Sequence, residues 1–185
     1  MMATETAAIA QTKVWLQRAV IGLNLCPFAK AVHTKNQIHW AVCVAPDAPV
    51  LLKALAYELK SLAAIADTAR ATTLLIALNA FPDFLDFNDF LAQADDVLDT
   101  LGLRGEIQIA SFHPRYQFAG TTPDDITNCT NRAPFPTLHL LRESAIEQAV
   151  LAFPDAAAIY ETNMRTLTAL GPAGWAALGM GAQHG

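Results

Sequence analysis

Apolar residues recur at helical spacing over residues 6–25 (Ile9, Leu16, Val20, Leu23), Lys13, Gln17 and Asn24 take the other side, and Thr6 is placed to cap the start. Pro27 ends this helix, because proline removes an amide and disfavours helix at the residue before it. Pro27 also suits the first position of a short second helix, 27–32, which puts Cys26 at a helix N-terminus where a thiolate is favoured. The pattern changes at 38–44, where Ile38, Trp40, Val42 and Val44 alternate with His39, Ala41 and Cys43, the period of a strand. A helix over 48–66 follows Asp47, with Leu51, Leu55, Leu59, Leu62 and Ile65 as its stripe. Residues 72–80 form a continuous apolar run, suited to a strand buried on both faces. The next helix, 84–101, turns Phe87, Phe90, Leu91, Val97 and Leu98 inward. Its outer row, Asp83, Asp86, Asp89, Asp95, Asp96 and Asp99, spreads over several turns and reads as a solvated face rather than a cation site. A third strand is expected at 106–112, a fourth at 137–141 and a helix at 143–152. Pro154 and Asp155 restart a helix to 170, Gly171-Pro172 breaks it, 173–180 is a last short turn, and 181–185 are expected to fray.

Strand, helix, strand, helix, strand between 38 and 112 is the signature of crossover connections. The fold class is therefore α/β: a single domain over 1–185 with a small, mostly parallel sheet of about four strands flanked by helices. A ferredoxin-like α+β sandwich is the rival. Parallel strands bring their carboxyl ends to one edge, so 45–47, 79–81 and 113–115 should lie together where open α/β sheets bind ligands.

Composition narrows the functional classes. A chain of 185 residues, 53% hydrophobic and 16% charged, is long enough for one dense core. A net charge of −5 lacks the basic footprint of a nucleic-acid binder, though a local arginine pocket can hold one phosphate. Cys26, Cys43 and Cys129 are odd in number and widely spaced, against both a disulfide framework and a structural zinc site and in favour of the reducing cytoplasm. Neither a signal peptide nor a membrane span is expected. No dinucleotide, P-loop or nucleophile-elbow motif occurs, so no cofactor is implied, and the histidines, aspartates and cysteines lack the spacing of a metal site.

Residues 111–142, SFHPRYQFAGTTPDDITNCTNRAPFPTLHLLR, differ from everything around them: a long polar loop and a return strand, rich in arginine, aromatics and proline. A connection this long inside a compact domain is functional or disordered, and its composition argues against disorder. His113, at a strand end and held extended by Pro114, suits acid–base or nucleophilic work; the alternative is a histidine that caps the sheet through hydrogen bonds. His139 shares a strand face with Thr137 and Leu141 and can pair with His113 only if strands three and four are neighbours. Arg115, Arg132 and Arg142 can converge as forks on a carboxylate or phosphate, or pair with Asp124, Asp125 and Glu143. Tyr116 and Asp124 join the candidate ligand contacts. Asn128 and Asn131 can contact a ligand or hold Asx-turns. Cys26-Pro27-Phe28 is similar to the cysteine of glutaredoxin-like and glutathione transferase sites, yet it ends a helix rather than follows a strand and lacks a resolving cysteine.

Leu25-Cys26-Pro27-Phe28-Ala29, Ser111-Phe112-His113-Pro114 with Tyr116-Gln117-Phe118, and Thr130-Asn131-Arg132 followed by Pro134, Pro136 and residues 138–143 resemble a bacterial family known as domain of unknown function 1415. The likeness spans nearly the whole chain, with two departures: Ala133 stands in place of serine and Phe135 in place of tyrosine. It implies no activity, but it treats the three motifs as one unit.

The expected function is an enzyme acting on a small anionic molecule, with His113 as acid, base or nucleophile and the arginines as clamps. The alternatives are a noncatalytic module that binds a small ligand or a protein tail in the same pocket, and a thiol-redox protein acting through Cys26.

Overall fold

The structure, a computed structural model, describes residues 4–152 and 156–180. Its strands are β1 (Ile38–Cys43), β2 (Thr72–Ala77), β3 (Ile107–Phe112) and β4 (Thr137–Arg142), joined in one sheet of order β1-β2-β4-β3. Two helices, α3 (Ala48–Ala64) and α4 (Phe84–Thr100), make the crossovers from β1 to β2 and from β2 to β3. β1 and β2 pair in parallel, whereas β4 is antiparallel to both β2 and β3. The α/β class and the four-stranded sheet agree with the sequence pattern. The parallel character lies in direction rather than in pairing: β1, β2 and β3 point the same way, and β4 runs back between the second and third. β4 follows β3 through a loop rather than a helix, so it returns antiparallel and fills the gap that the second crossover leaves. This order is not that of a ferredoxin-like sandwich.

Helices cover both faces. On one face Leu51, Leu55, Leu59 and Leu62 of α3 and Phe87, Phe90 and Leu98 of α4 pack against Leu75, Ile107, Leu138 and Leu140. The other face is covered by α1 (Glu5–Trp15) and the π-helical turn that continues it, Leu16–Ile21, with Trp15, Leu16, Ala19 and Val20 above Trp40 and Phe112. All six residues of β2 are buried, as expected of an interior strand with apolar residues on both sides.

Several boundaries move by a few residues. Thr4, not Thr6, caps α1, its hydroxyl accepting from Ala7 N at 3.2 Å. The first helix does not run regularly to 25: Gly22 N donates to Gln17 O and Leu25 N to Val20 O, the five-residue spacing of a π-turn. The short helix α2 is Ala29–Thr34 with Phe28 at its N-cap, so Cys26 precedes the helix instead of sitting at its N-terminus. α5 (Glu143–Ala152) follows β4 directly, and α6 (Ala156–Ala177) is kinked at Gly171, whose φ of 66° and ψ of 173° suit glycine ahead of Pro172. The helix restart expected at 154–155 and the fraying expected at 181–185 lie outside the described residues. The aspartates of α4 are exposed, and no described helix is long and apolar enough to cross a membrane.

Arg142, at the end of β4 far from the loop, is only 6% exposed. Its Nη2 donates to Leu62 O at 2.7 Å and Ile65 O at 2.6 Å, its Nε to Arg70 O at 3.3 Å, and its Nη1 pairs with Asp67 at 3.1 Å. Helix α3 has no basic residue in its last turn, so the carbonyls at its end take a charged donor from β4. Arg142→Leu should lower unfolding stability by about 3 kcal/mol, because it strands buried carbonyls. Asp67→Asn, at the exposed end of the pair, should cost less than about 1 kcal/mol. Denaturant midpoints of the two variants check this ordering.

Candidate functional site

Strand direction gathers the chain at one edge. Cys43 is in register with Ala77, and Thr137 with both Ile76 and Phe112. Beyond the strands, Leu78 N donates to Cys43 O at 2.9 Å, Ala77 N to Pro136 O at 2.8 Å and Asn79 Nδ2 to Val44 O at 2.7 Å. Here lies a half-open cleft of about 450 Å³. Residues 78–82 form one wall, and 113–115 with 134–136 form the other. A groove of similar volume between α3 and α4, lined by Leu52, Val97, Leu101 and Asp96 among others, is remote from the polar loop.

His113 is 1% exposed, and the first residues of α4 decide its surroundings: its ring lies 5.5 Å from Phe84 and 5.4 Å from Phe87, centroid to centroid. Its Nδ1 accepts from Arg115 N at 3.0 Å. An amide can only donate, so the proton sits on Nε2, which donates to Phe81 O at 2.9 Å. Burial pushes its pKa below the usual histidine value, against the opposing effect of the Phe81 carbonyl, so the ring is neutral at pH 7. Both nitrogens are engaged, and what they hold is strained: Phe81 has a φ of 55° although it is bulky and precedes proline. Arg115 secures the same turn, its Nη2 donating to Pro82 O and lying 3.4 Å from the Asp83 carboxylate. Asp83 in turn caps α4.

The other loop candidates mostly hold the loop. Arg132 donates through Nε to Tyr116 O at 3.1 Å and through Nη2 to Pro123 O at 2.6 Å. Asn128 is fully buried; its Oδ1 accepts from Phe118 N and the Thr121 hydroxyl, and its Nδ2 donates to Thr122 O. Asn131 donates to Ser111 O, and its carbonyl accepts from His113 N. Tyr116 packs between Phe84, whose ring is tilted to it, and Phe118, which meets it edge-on. Asp124 is exposed, while Asp125 caps the 3-10 helix Ile126–Asn131 through Thr127. Burial pushes the Cys129 thiol up even with Arg132 beside it.

The remaining candidates lie elsewhere. β3 and β4 are neighbours, yet His139 faces Ala110 in register and turns toward Phe112 on the α1 face, whereas His113 packs on α4 across the sheet. Desolvation pushes the His139 pKa down to about 4. Cys26 joins the cluster of Trp15, Ala29 and Ala133 on that same α1 face. Arg142 caps α3 at the opposite edge. The three motifs do meet, since Cys26, Phe112 and Ala133 share one apolar cluster, and Leu25 packs with Cys129. That meeting point is core, on the far side of the sheet from His113. Within the described residues no group of histidines, cysteines and acids could hold a metal. Sequence reasoning missed Phe135 as a cleft residue and took Asp83 as part of a solvated row rather than as the partner of Arg115; for Phe135 the signal was Pro134 and Pro136, which fix the second wall.

Both histidines are depressed below the free imidazole value, so the unfolded chain takes up their protons first. The contribution of His139 to stability should be complete above about pH 7 and fall as the pH drops through about 6.5 toward 4, and that of His113 should fall in the same direction. Allowing for partial exposure of His139, its share at pH 4 is on the order of 2 kcal/mol. Urea unfolding at pH 7 and pH 4.5 should show a shallower loss for His139→Leu than for the wild type. His113→Asn should cost about 2–3 kcal/mol at pH 7, where the turn loses its clamp.

Comparison with known proteins adds a family. No curated protein and no solved structure matches the chain. The family model described as "Protein of unknown function (DUF1415)" matches residues 7–177, a span that includes the sheet, the polar loop and nearly all of the covering helices. The chain belongs to the DUF1415 family.

Proposed function

We propose that the cleft at the carboxyl edge of the sheet binds a small anionic molecule, with Arg115 as its charged contact and His113 as the residue that holds its shape. The observation that carries this reading is the position of Arg115. Among the described lining residues it is the one cation that stays charged at neutral pH, and it stands where open α/β sheets take their ligands. Its Nη2 serves the Pro82 turn, while Nε and Nη1 have no hydrogen-bond partner among the described residues. Arg132, Asn131 and Tyr116 support the cleft from behind by ordering the loop, and Asp124 and Arg142 take no part in it.

The enzymatic form of this reading gives His113 the proton-transfer step. Its neutral ring is the form a general base needs, but one of its two bonds has to open when ligand enters. The noncatalytic form needs no such opening and fits the closed geometry better. Cys26, on the other face in an apolar cluster, gives the thiol-redox reading the least support. Three free cysteines, two of them buried, favour the reducing cytoplasm as the place of work.

Calorimetric titration with acetate, phosphate and larger carboxylates should find at least one anion whose affinity falls about tenfold in Arg115→Gln, the scale of one lost charge-assisted contact. If Arg115→Gln binds every such anion as the wild type does, the reading is wrong. A metabolite turnover screen then separates the two forms, because only the enzyme forms product.

A further inference from the structure

The walls of the cleft define what an anion held there must look like. Four of the eleven lining residues, Pro82, Pro114, Pro134 and Pro136, have no amide proton. The donors of several others are already spent inside the protein: Leu78 N on Cys43 O, His113 N on Asn131 O, Arg115 N on His113 Nδ1, and Asn79 Nδ2 on Val44 O. For a phosphate or a polyhydroxylated ligand the donors left are the amides of Asn79, Ala80, Phe81 and Phe135 and the open side of the Arg115 guanidinium, and each oxygen buried beyond their reach is costly. The remaining lining side chains are hydrocarbon, with Leu78, Ala80, Phe81 and Phe135 beside the proline rings, and backbone polar groups share the surface with them. Phe135 is 6% exposed and packs with Ile76 and Ala8 beneath, so its wall is part of the folded core. The charge available is small, since Arg115 is already shared with Asp83 at 3.4 Å. Both side chains are about half exposed, so that pair is weak and a ligand can compete with it.

Building on the proposed anion site, we infer that its ligand is an amphipathic monocarboxylate. The carboxylate meets the free side of the Arg115 guanidinium, and an alkyl or aryl body lies between the two walls, against Phe81, Phe135 and the prolines. Asp83 is the competing internal anion: it occupies Arg115 in the empty site and is set aside when the carboxylate arrives. The volume suits a body of modest size, near the lower end of small-molecule pockets.

The test is a calorimetric series on the full-length protein with acetate, butyrate, hexanoate, octanoate, phenylacetate and inorganic phosphate, with octanol and phenylacetamide as neutral controls. Affinity should rise about three- to fourfold per methylene until the wall is covered, by the usual gain for a buried CH₂. Phenylacetate should outbind acetate by at least tenfold, and the neutral controls should bind at least tenfold more weakly than the acids they match. Arg115→Gln should weaken octanoate, whereas Asp83→Asn, which keeps a helix-capping side chain, should tighten it severalfold. Equal binding of acetate, phosphate and octanoate, all sensitive to Arg115→Gln, would overturn the amphipathic assignment and leave the anion site standing. Equal binding of octanol and octanoate would overturn the carboxylate. Binding by no member of the series would remove both.

Discussion

Because β4 runs antiparallel between β2 and β3, the chain that leaves β3 has to come back to the edge it left. A crossover to a parallel strand would have carried it to the opposite edge. Here residues 113 to 136 begin and end on the same side, tethered by Phe112 and Thr137 in direct register. The carboxyl ends of β1 and β2 are already there, so one pairing choice concentrates the irregular chain of this protein in one place. The cleft is what is left between that loop and the turn after β2.

The loop stays ordered without regular strand or helix through most of its length because its polar side chains serve its own backbone. Asn128 and Arg132 supply donors and acceptors that a ladder would otherwise provide, for Phe118, Thr122, Tyr116 and Pro123. Buried backbone groups need such partners, and a long loop that meets the requirement with side chains needs the very residues that make it look like an active site. This explains why the polar composition of 111–142 has the look of a site while Asn131 and Arg132 bond to loop backbone and Arg142 to the end of α3.

The sheet, the crossover helices and the meeting of strand ends were legible from periodicity alone, because Leu51, Leu55, Leu59 and Leu62, or the unbroken run of β2, leave little choice of face. Two things were not. The direction of β4 does not follow from its five or six residues, since Leu138 and Leu140 would be buried equally well by a parallel strand. The separation of His113 from His139 depends on that register: the strands are neighbours, as pairing required, but the two rings project to opposite faces. A one-residue change of parity reverses a face, and no feature of the segment between 113 and 136 announces the parity. The exact start of α1 and the π-turn after Trp15 were hidden for a simpler reason, as Thr4 and Thr6 are both competent caps.

The left-handed backbone at Phe81 has a consequence for how this chain can vary. Phe81 keeps an unfavourable φ because the His113 ring and the Arg115 side chain hold the carbonyls of Phe81 and Pro82. The histidine is thus worth most when residue 81 is least comfortable, and glycine at 81, free to adopt that φ, would make the imidazole less necessary. Positions 81 and 113 are therefore coupled in an evolutionary sense: the cost of changing one depends on the other, and a lineage can relax the pair together more cheaply than in separate steps.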